Sequence, residues 1–113
     1  MIVLLTNDLM FQSRVSAAVR AAGKTFLVDR TIARLQERCE DPASVELVLV
    51  DLSFTDFDLV TGIPQAKALF PQAKLLAFGP HVDVDRLEQA QTSGADGVMT
   101  RGQFDRDLST IVR

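Results

Sequence analysis

Asp51 closes the apolar run Leu47, Val48, Leu49, Val50 and is followed by Leu52 and Ser53. A Val- and Leu-rich run with so few polar breaks reads as a strand buried on both faces. Such strands form the middle of parallel α/β sheets, and ligands and chemistry gather just past their carboxyl ends. A carboxylate at that point is placed for work, and it needs a cation or hydrogen-bond donors to sit there. The plain alternative is a strand-end carboxylate satisfied by nearby amides. Little else in the chain carries chemistry on its own. His81 is the only histidine, with no second imidazole or cysteine near it in sequence, so a transition-metal site is not expected. A loop histidine facing water is its default, and the lone Cys39 reads as inert packing on a helix inner face. No Gly-x-Gly-x-x-Gly or Walker pattern occurs, and no Ser-His-Asp arrangement has support.

The elements that would position Asp51 follow from periodicity. Ile2 to Thr6 reads as a first strand. Asn7 or Asp8 can cap the next helix. Phe11, Val15, Ala18, Val19 and Ala22 form the buried stripe of that helix, and Gly23 closes it in the left-handed conformation. Thr25 to Val28 is a weaker second strand. Thr31 caps a helix with Ile32, Leu35 and Cys39 inward, and Asp41-Pro42 ends it. After the strand Leu47 to Val50, a helix lies between Asp58 and Phe70. Pro64 fits best in a first turn, which starts that helix near Gly62 after a long loop; the alternative is a kinked helix. Leu75 to Phe78 is the fourth strand, broken by Gly79-Pro80. Asp83 caps a polar helix running through Leu87 and Ala90 to Gly94. Gly97 to Thr100 is the last strand, and Phe104, Leu108, Ile111 and Val112 line the last helix. This (βα) unit repeated five times predicts a three-layer sandwich with a five-stranded parallel sheet.

The 113 residues, 47% hydrophobic and 24% charged, suit one domain over 1–113. An initiating Met fits a stand-alone chain. The net charge of -3 argues against nucleic acid or an anionic membrane as partner, and no run reaches membrane-spanning length. A single cysteine suits a reducing, cytoplasmic setting.

Three stretches carry a family resemblance. Val48-Leu49-Val50-Asp51-Leu52-Ser53 with Asp58, then Phe70-Pro71-Gln72-Ala73-Lys74, then Gly94-Ala95-Asp96-Gly97 occur in the order and spacing of bacterial response regulator receiver domains, the CheY-like family. The chain resembles that family over essentially its whole length. The resemblance implies the flavodoxin-like fold with strand order 2-1-3-4-5. It also implies a site that moves a phosphoryl group onto Asp51, with the protein supplying position and electrostatics.

Residue by residue, the chain departs from the family pattern. Thr6 and Asn7 stand at the acidic pair that holds a divalent cation, and Asp8 falls one place late. Asp8, Asp51, Asn7 and the backbone carbonyl of Ser53 are the candidate ligands for a weakly held Mg²⁺, which demands near-octahedral oxygen donors. A helix cap is the other role open to Asp8. Gly79 replaces the Ser or Thr that contacts the phosphoryl group. Arg101 replaces the lysine, and a bulkier, forked guanidinium is not a neutral exchange; a salt bridge from Arg101 to Asp51 is the alternative. Val98 replaces the aromatic switch residue and reads as core.

This profile resembles an atypical or pseudo-receiver: a signalling module that acts through protein–protein contact, not an enzyme. Its partner would be a histidine kinase or another signalling protein. The alternatives are a working phospho-acceptor using Asp51 and a cation, and a small-molecule or enzyme-like site in a pocket opened by Gly79. Phe11, Phe54, Phe57 and Phe78 lie near strand ends and could rim Asp51 with apolar surface, although Phe11 and Phe78 also suit the core. Phe54 and Phe57 are the better candidates for a partner contact. The fourth helix has Val84, Leu87 and Ala90 to face the sheet, with Asp85, Arg86, Glu88 and Gln89 outward, so a monomer or weak dimer is expected.

Overall fold

A computed structural model describes residues 1–54 and 58–113. Strands β1 (Ile2–Leu5), β2 (Phe26–Asp29), β3 (Leu47–Asp51), β4 (Lys74–Gly79) and β5 (Gly97–Thr100) alternate with helices α1 (Leu9–Ala21), α2 (Ile32–Arg38), α3 (Leu59–Leu69), α4 (Val84–Thr92) and α5 (Arg101–Ile111). All strand pairs are parallel, in the order β2-β1-β3-β4-β5. The anticipated flavodoxin-like architecture is therefore present, with β3 at its centre.

Strand alternation builds a core on each side of the sheet. Ile2, Leu4, Leu47, Leu49 and Phe78 pack against Phe11, Val15 and Val19 of α1 and Phe104 and Leu108 of α5. Val3, Leu5, Val48, Val50, Leu75 and Ala77 pack against α2, α3 and α4 through Leu35, Ile63, Ala66 and Ala90. The caps follow the sequence closely. Asp8, Thr31 and Asp83 cap α1, α2 and α4 through their side chains, and Gly23 has φ of 72°.

Two expectations about helices are corrected. α3 starts at Leu59, capped by Asp58, and runs through Pro64 instead of beginning near Gly62. Proline removes one backbone bond in a helix interior. Here it lies on the exposed face, so the freed Val60 carbonyl can meet water, while Leu59, Ile63 and Ala66 hold the inner face in the core. In α4, Val84 does not face the sheet; it is 55% exposed. Arg86 takes an inward position instead, on the same helical face as buried Ala90.

Asp29 ends β2 in a cluster of arginines. Its largely buried carboxylate meets Arg34 at 3.3 Å and Arg38 at 2.9 Å, and the Arg30 amide donates to it at 2.7 Å. Burial pushes this carboxyl up, but the hydrogen bonds from Arg30, Arg38 and Arg34 outweigh it and hold it below 3.8. Asp96 is likewise held low, by the Leu75 amide and Lys67. A carboxyl lowered on folding stabilises the fold above its unfolded pKa and loses that contribution as pH falls through its folded value. Asp29→Asn is therefore expected to reduce the thermal midpoint at pH 7, with the gap to the parent chain closing below pH 3.8. A gap of the same size at pH 3 would contradict this coupling.

Candidate functional site

The sheet register fixes the partner of Asp51. Leu5 of β1 is level with Val50 of β3, so the next step in each chain sets Thr6 beside Asp51. Both fall on the α1/α5 side of the sheet by strand alternation, with Ile2, Leu4, Leu47 and Leu49. Among the described residues, Thr6 and Asp51 are the buried polar side chains, at 3% and 0% exposure, and they bond to each other. The Thr6 hydroxyl donates to Asp51 Oδ2 at 2.7 Å. Oδ1 accepts from the Ser53 amide at 2.9 Å and the Ser53 hydroxyl at 2.6 Å. The donors that a buried carboxylate requires are thus supplied by hydroxyls and an amide. Strand alternation and the β1–β3 pairing together carried the signal for Thr6, which the sequence reading had placed only as a departure from an acidic pair.

Asp8 and Arg101 form a second group, joined to the first through Thr6. The Asp8 amide donates to Thr6 Oγ1 at 3.1 Å. Its carboxylate caps α1 by accepting from the Phe11 amide at 3.0 Å and accepts from Arg101 Nη2 at 3.3 Å. The Phe11 amide holds the Asp8 carboxyl below its usual range, against partial burial and with help from Arg101. The guanidinium also lies over the Phe11 ring, 4.3 Å from its centroid. The salt bridge from Arg101 to Asp51 considered from sequence is therefore corrected: Arg101 pairs with Asp8.

The remaining candidates fall into place around these groups. The Leu52 side chain fills the space over Gly79; a Cβ on Gly79 would lie 3.0 Å from Leu52 Cβ. Among the described residues, Leu52 thus packs where a β4 side chain would stand. Asn7 is exposed and lines a surface hollow with Leu9, Gln12, Asp29 and Arg30. Ser53 meets Asp51 through its amide and hydroxyl. Phe54, expected as a partner contact, is 4% exposed and belongs to the core on the α2/α3/α4 side. Phe57 lies outside the described residues. Phe11 and Phe78 are core residues: Phe78 stacks on Phe104, and Phe11 meets both rings at a tilt. Val98 is partly buried against the core, Cys39 is buried and His81 is exposed.

These groups do not suit a magnesium ion. Both oxygens of Asp51 already face donors, and Asp8 is turned to a guanidinium and a helix amide. Magnesium takes oxygen ligands in a near-octahedral array, and of the two candidate carboxylates Asp51 is fully buried while Asp8 is paired with Arg101. Among the described residues, no three acidic, histidine or cysteine side chains gather as a metal site. No described helix is long and apolar enough to cross a membrane.

No family model matches the chain, and no curated protein matches it. Solved structures do. The chain superposes with a TM-score of 0.77 on a CheY-like response regulator receiver domain protein from Methanospirillum hungatei JF-1, at 16% identity over 98% of this chain and 88% of that one. A response regulator receiver domain protein from Clostridium thermocellum gives 0.76 at 16% identity, over 98% and 89% of the two chains. A Burkholderia pseudomallei response regulator, solved with a phosphorylated aspartic acid, calcium and citrate, gives 0.77 at 14% identity, over 99% of this chain and 65% of that one. The fold is that of receiver domains.

Proposed function

We propose that this receiver-fold chain is a signalling module that works by protein–protein contact, and that its Asp51 site is closed to phosphoryl transfer. The observation that supports this reading is the state of Asp51 itself. It is fully buried, and Thr6 and Ser53 occupy both of its oxygens. Attack on a phosphoryl donor needs a carboxylate that the donor can reach and a cation to take up charge on the transferring group. The hydroxyls of Thr6 and Ser53 offer no such charge, and Arg101 is committed to Asp8 and Phe11. On this reading the chain is not an enzyme, and its partner is a histidine kinase or another signalling protein in the cytoplasm.

The exposed large apolar residues fit the same reading. Leu9, Met10, Val60, Val82 and Val84 all lie at or just before the starts of α1, α3 and α4. In a parallel βα fold those starts share the end of the sheet that carries Asp51. A protein partner docking at that end would cover several of them.

The second reading, a working phospho-acceptor, draws support from the position of Asp51 at the carboxyl end of the central strand. Acetyl phosphate or beryllium fluoride with Mg²⁺ separates the two. Intact-mass and peptide mass spectrometry should find Asp51 unmodified, and the Thr6 and Ser53 amide signals should not move with Mg²⁺. A phosphoryl adduct on Asp51 would establish the second reading in place of the first.

A further inference from the structure

The turn Leu52-Ser53-Phe54 covers Asp51, and a side chain from a distant element grips it on either side of Ser53. Arg86 of α4 donates from Nε to the Leu52 carbonyl at 2.8 Å and from Nη2 to the Phe54 carbonyl at 3.4 Å. Those two carbonyls flank the residue whose amide and hydroxyl both reach Asp51 Oδ1. β4 fixes the turn from the other direction. The Leu52 amide donates to the Phe78 carbonyl at 2.8 Å, and the Leu52 side chain fits over Gly79 because glycine leaves that space open. Arg86 is itself braced: Asp83 accepts from its amide at 3.3 Å and sits 4.0 Å from Nε.

We propose that Arg86 is the latch that keeps Ser53 seated on Asp51, a positioning residue that decides whether the carboxylate is covered or open to solvent. A planar guanidinium can bond two carbonyls with one rigid group, which an ammonium cannot do in the same way. Without it, the Leu52 carbonyl loses its 2.8 Å donor and the short turn loses its outer anchor. Covering of Asp51 is then coupled to α4. Displacing the first turn of α4, which is flanked by the exposed Val82 and Val84, withdraws Arg86 and frees Ser53. A group added at Asp51 Oδ1 would in turn displace Ser53 and load the Arg86 bonds. The latch holds whether or not the chain takes up a phosphoryl group, so its test is separate from that of the proposed function.

The test compares the whole chain with Arg86→Ala and Arg86→Lys. Two quantities are measured: hydrogen exchange at the Ser53 amide, and carbodiimide-driven labelling of Asp51 by glycine ethyl ester, read by peptide mass spectrometry. Arg86→Ala should raise both roughly tenfold, the scale of losing hydrogen bonds from a charged donor. Arg86→Lys should fall between the alanine variant and the parent. Exchange at Val3 and Leu49, in the sheet core, should stay unchanged, as should labelling of exposed Asp58. Unchanged Ser53 exchange and Asp51 labelling in Arg86→Ala would overturn the proposal. A rise shared equally by Val3 and Leu49 would overturn it too, because Arg86 would then be general packing and not a latch.

Discussion

Replacing Thr6 with valine is expected to lower stability by about 2–3 kcal/mol, the upper part of the range for a buried acceptor left without its donor. Valine keeps the branched shape and removes only the hydroxyl that reaches Asp51 Oδ2 at 2.7 Å. The same hydroxyl accepts from the Asp8 amide, so the start of α1 loses an anchor as well. No water can take over, because Asp51 is fully buried. Urea unfolding gives the free energy directly, and the thermal midpoint should fall by roughly 10 °C for a domain of this size. Asp51→Asn in the Thr6→Val background should recover part of the loss, since a neutral amide is cheaper to leave short of a donor. The two positions should then show coupling on the order of 1 kcal/mol in a double-mutant cycle. A Thr6→Val chain as stable as the parent would mean that Asp51 finds its donors elsewhere, and the closed-site reading would fail with it.

Phe78→Ala carries the larger expected loss, about 3–5 kcal/mol. Phe78 lies at the middle of a triad of fully buried rings. Its centroid is 4.1 Å from that of Phe104, nearly parallel, and 5.0 Å from that of Phe11. β4, α1 and α5 meet on this ring, and each backbone is held in its own ladder or helix. The cavity would therefore persist, and cavity volume adds to the lost transfer free energy. The effect should also reach the site, because Arg101 rests on Phe11. Calorimetry should show a midpoint lower by on the order of 15 °C. Met10→Ala, a large apolar truncation at an 82% exposed position, is the contrast and should change stability by less than about 0.5 kcal/mol. A Phe78→Ala chain within 1 kcal/mol of the parent would show that the rings are not the core of that face.

The residues at which the sequence reading succeeded share one property: their signal is local. The run Leu47 to Val50 needed only composition to be read as a buried strand, and Asp51 followed as its terminal carboxylate. Asp8, Thr31 and Asp83 cap helices through bonds to amides three residues ahead, so spacing alone announces them. Where a local rule met a competing term, it lost. Pro64 argued for a late helix start, but burial of Leu59, Ile63 and Ala66 behind the Asp58 cap outweighed one missing bond. Apolarity alone places Val84 inward, yet the rotation of α4 set by Ala90 turns Arg86 toward the interior and Val84 to water.

By itself, then, the chain's order of residues determined the five βα units, the sheet they form and the place of Asp51 at the end of its middle strand. Alternation of apolar residues and capping chemistry act over a few positions and survive any tertiary context that keeps both faces covered. What the carboxylate, the arginines and the exposed apolar residues actually meet was decided only in three dimensions. Thr6 and Asp51 are 45 residues apart, Leu52 and Arg86 34, and Asp8 and Arg101 93. Those pairings depend on strand register and helix rotation. Packing fixes both collectively, and no single stretch of sequence spells them out.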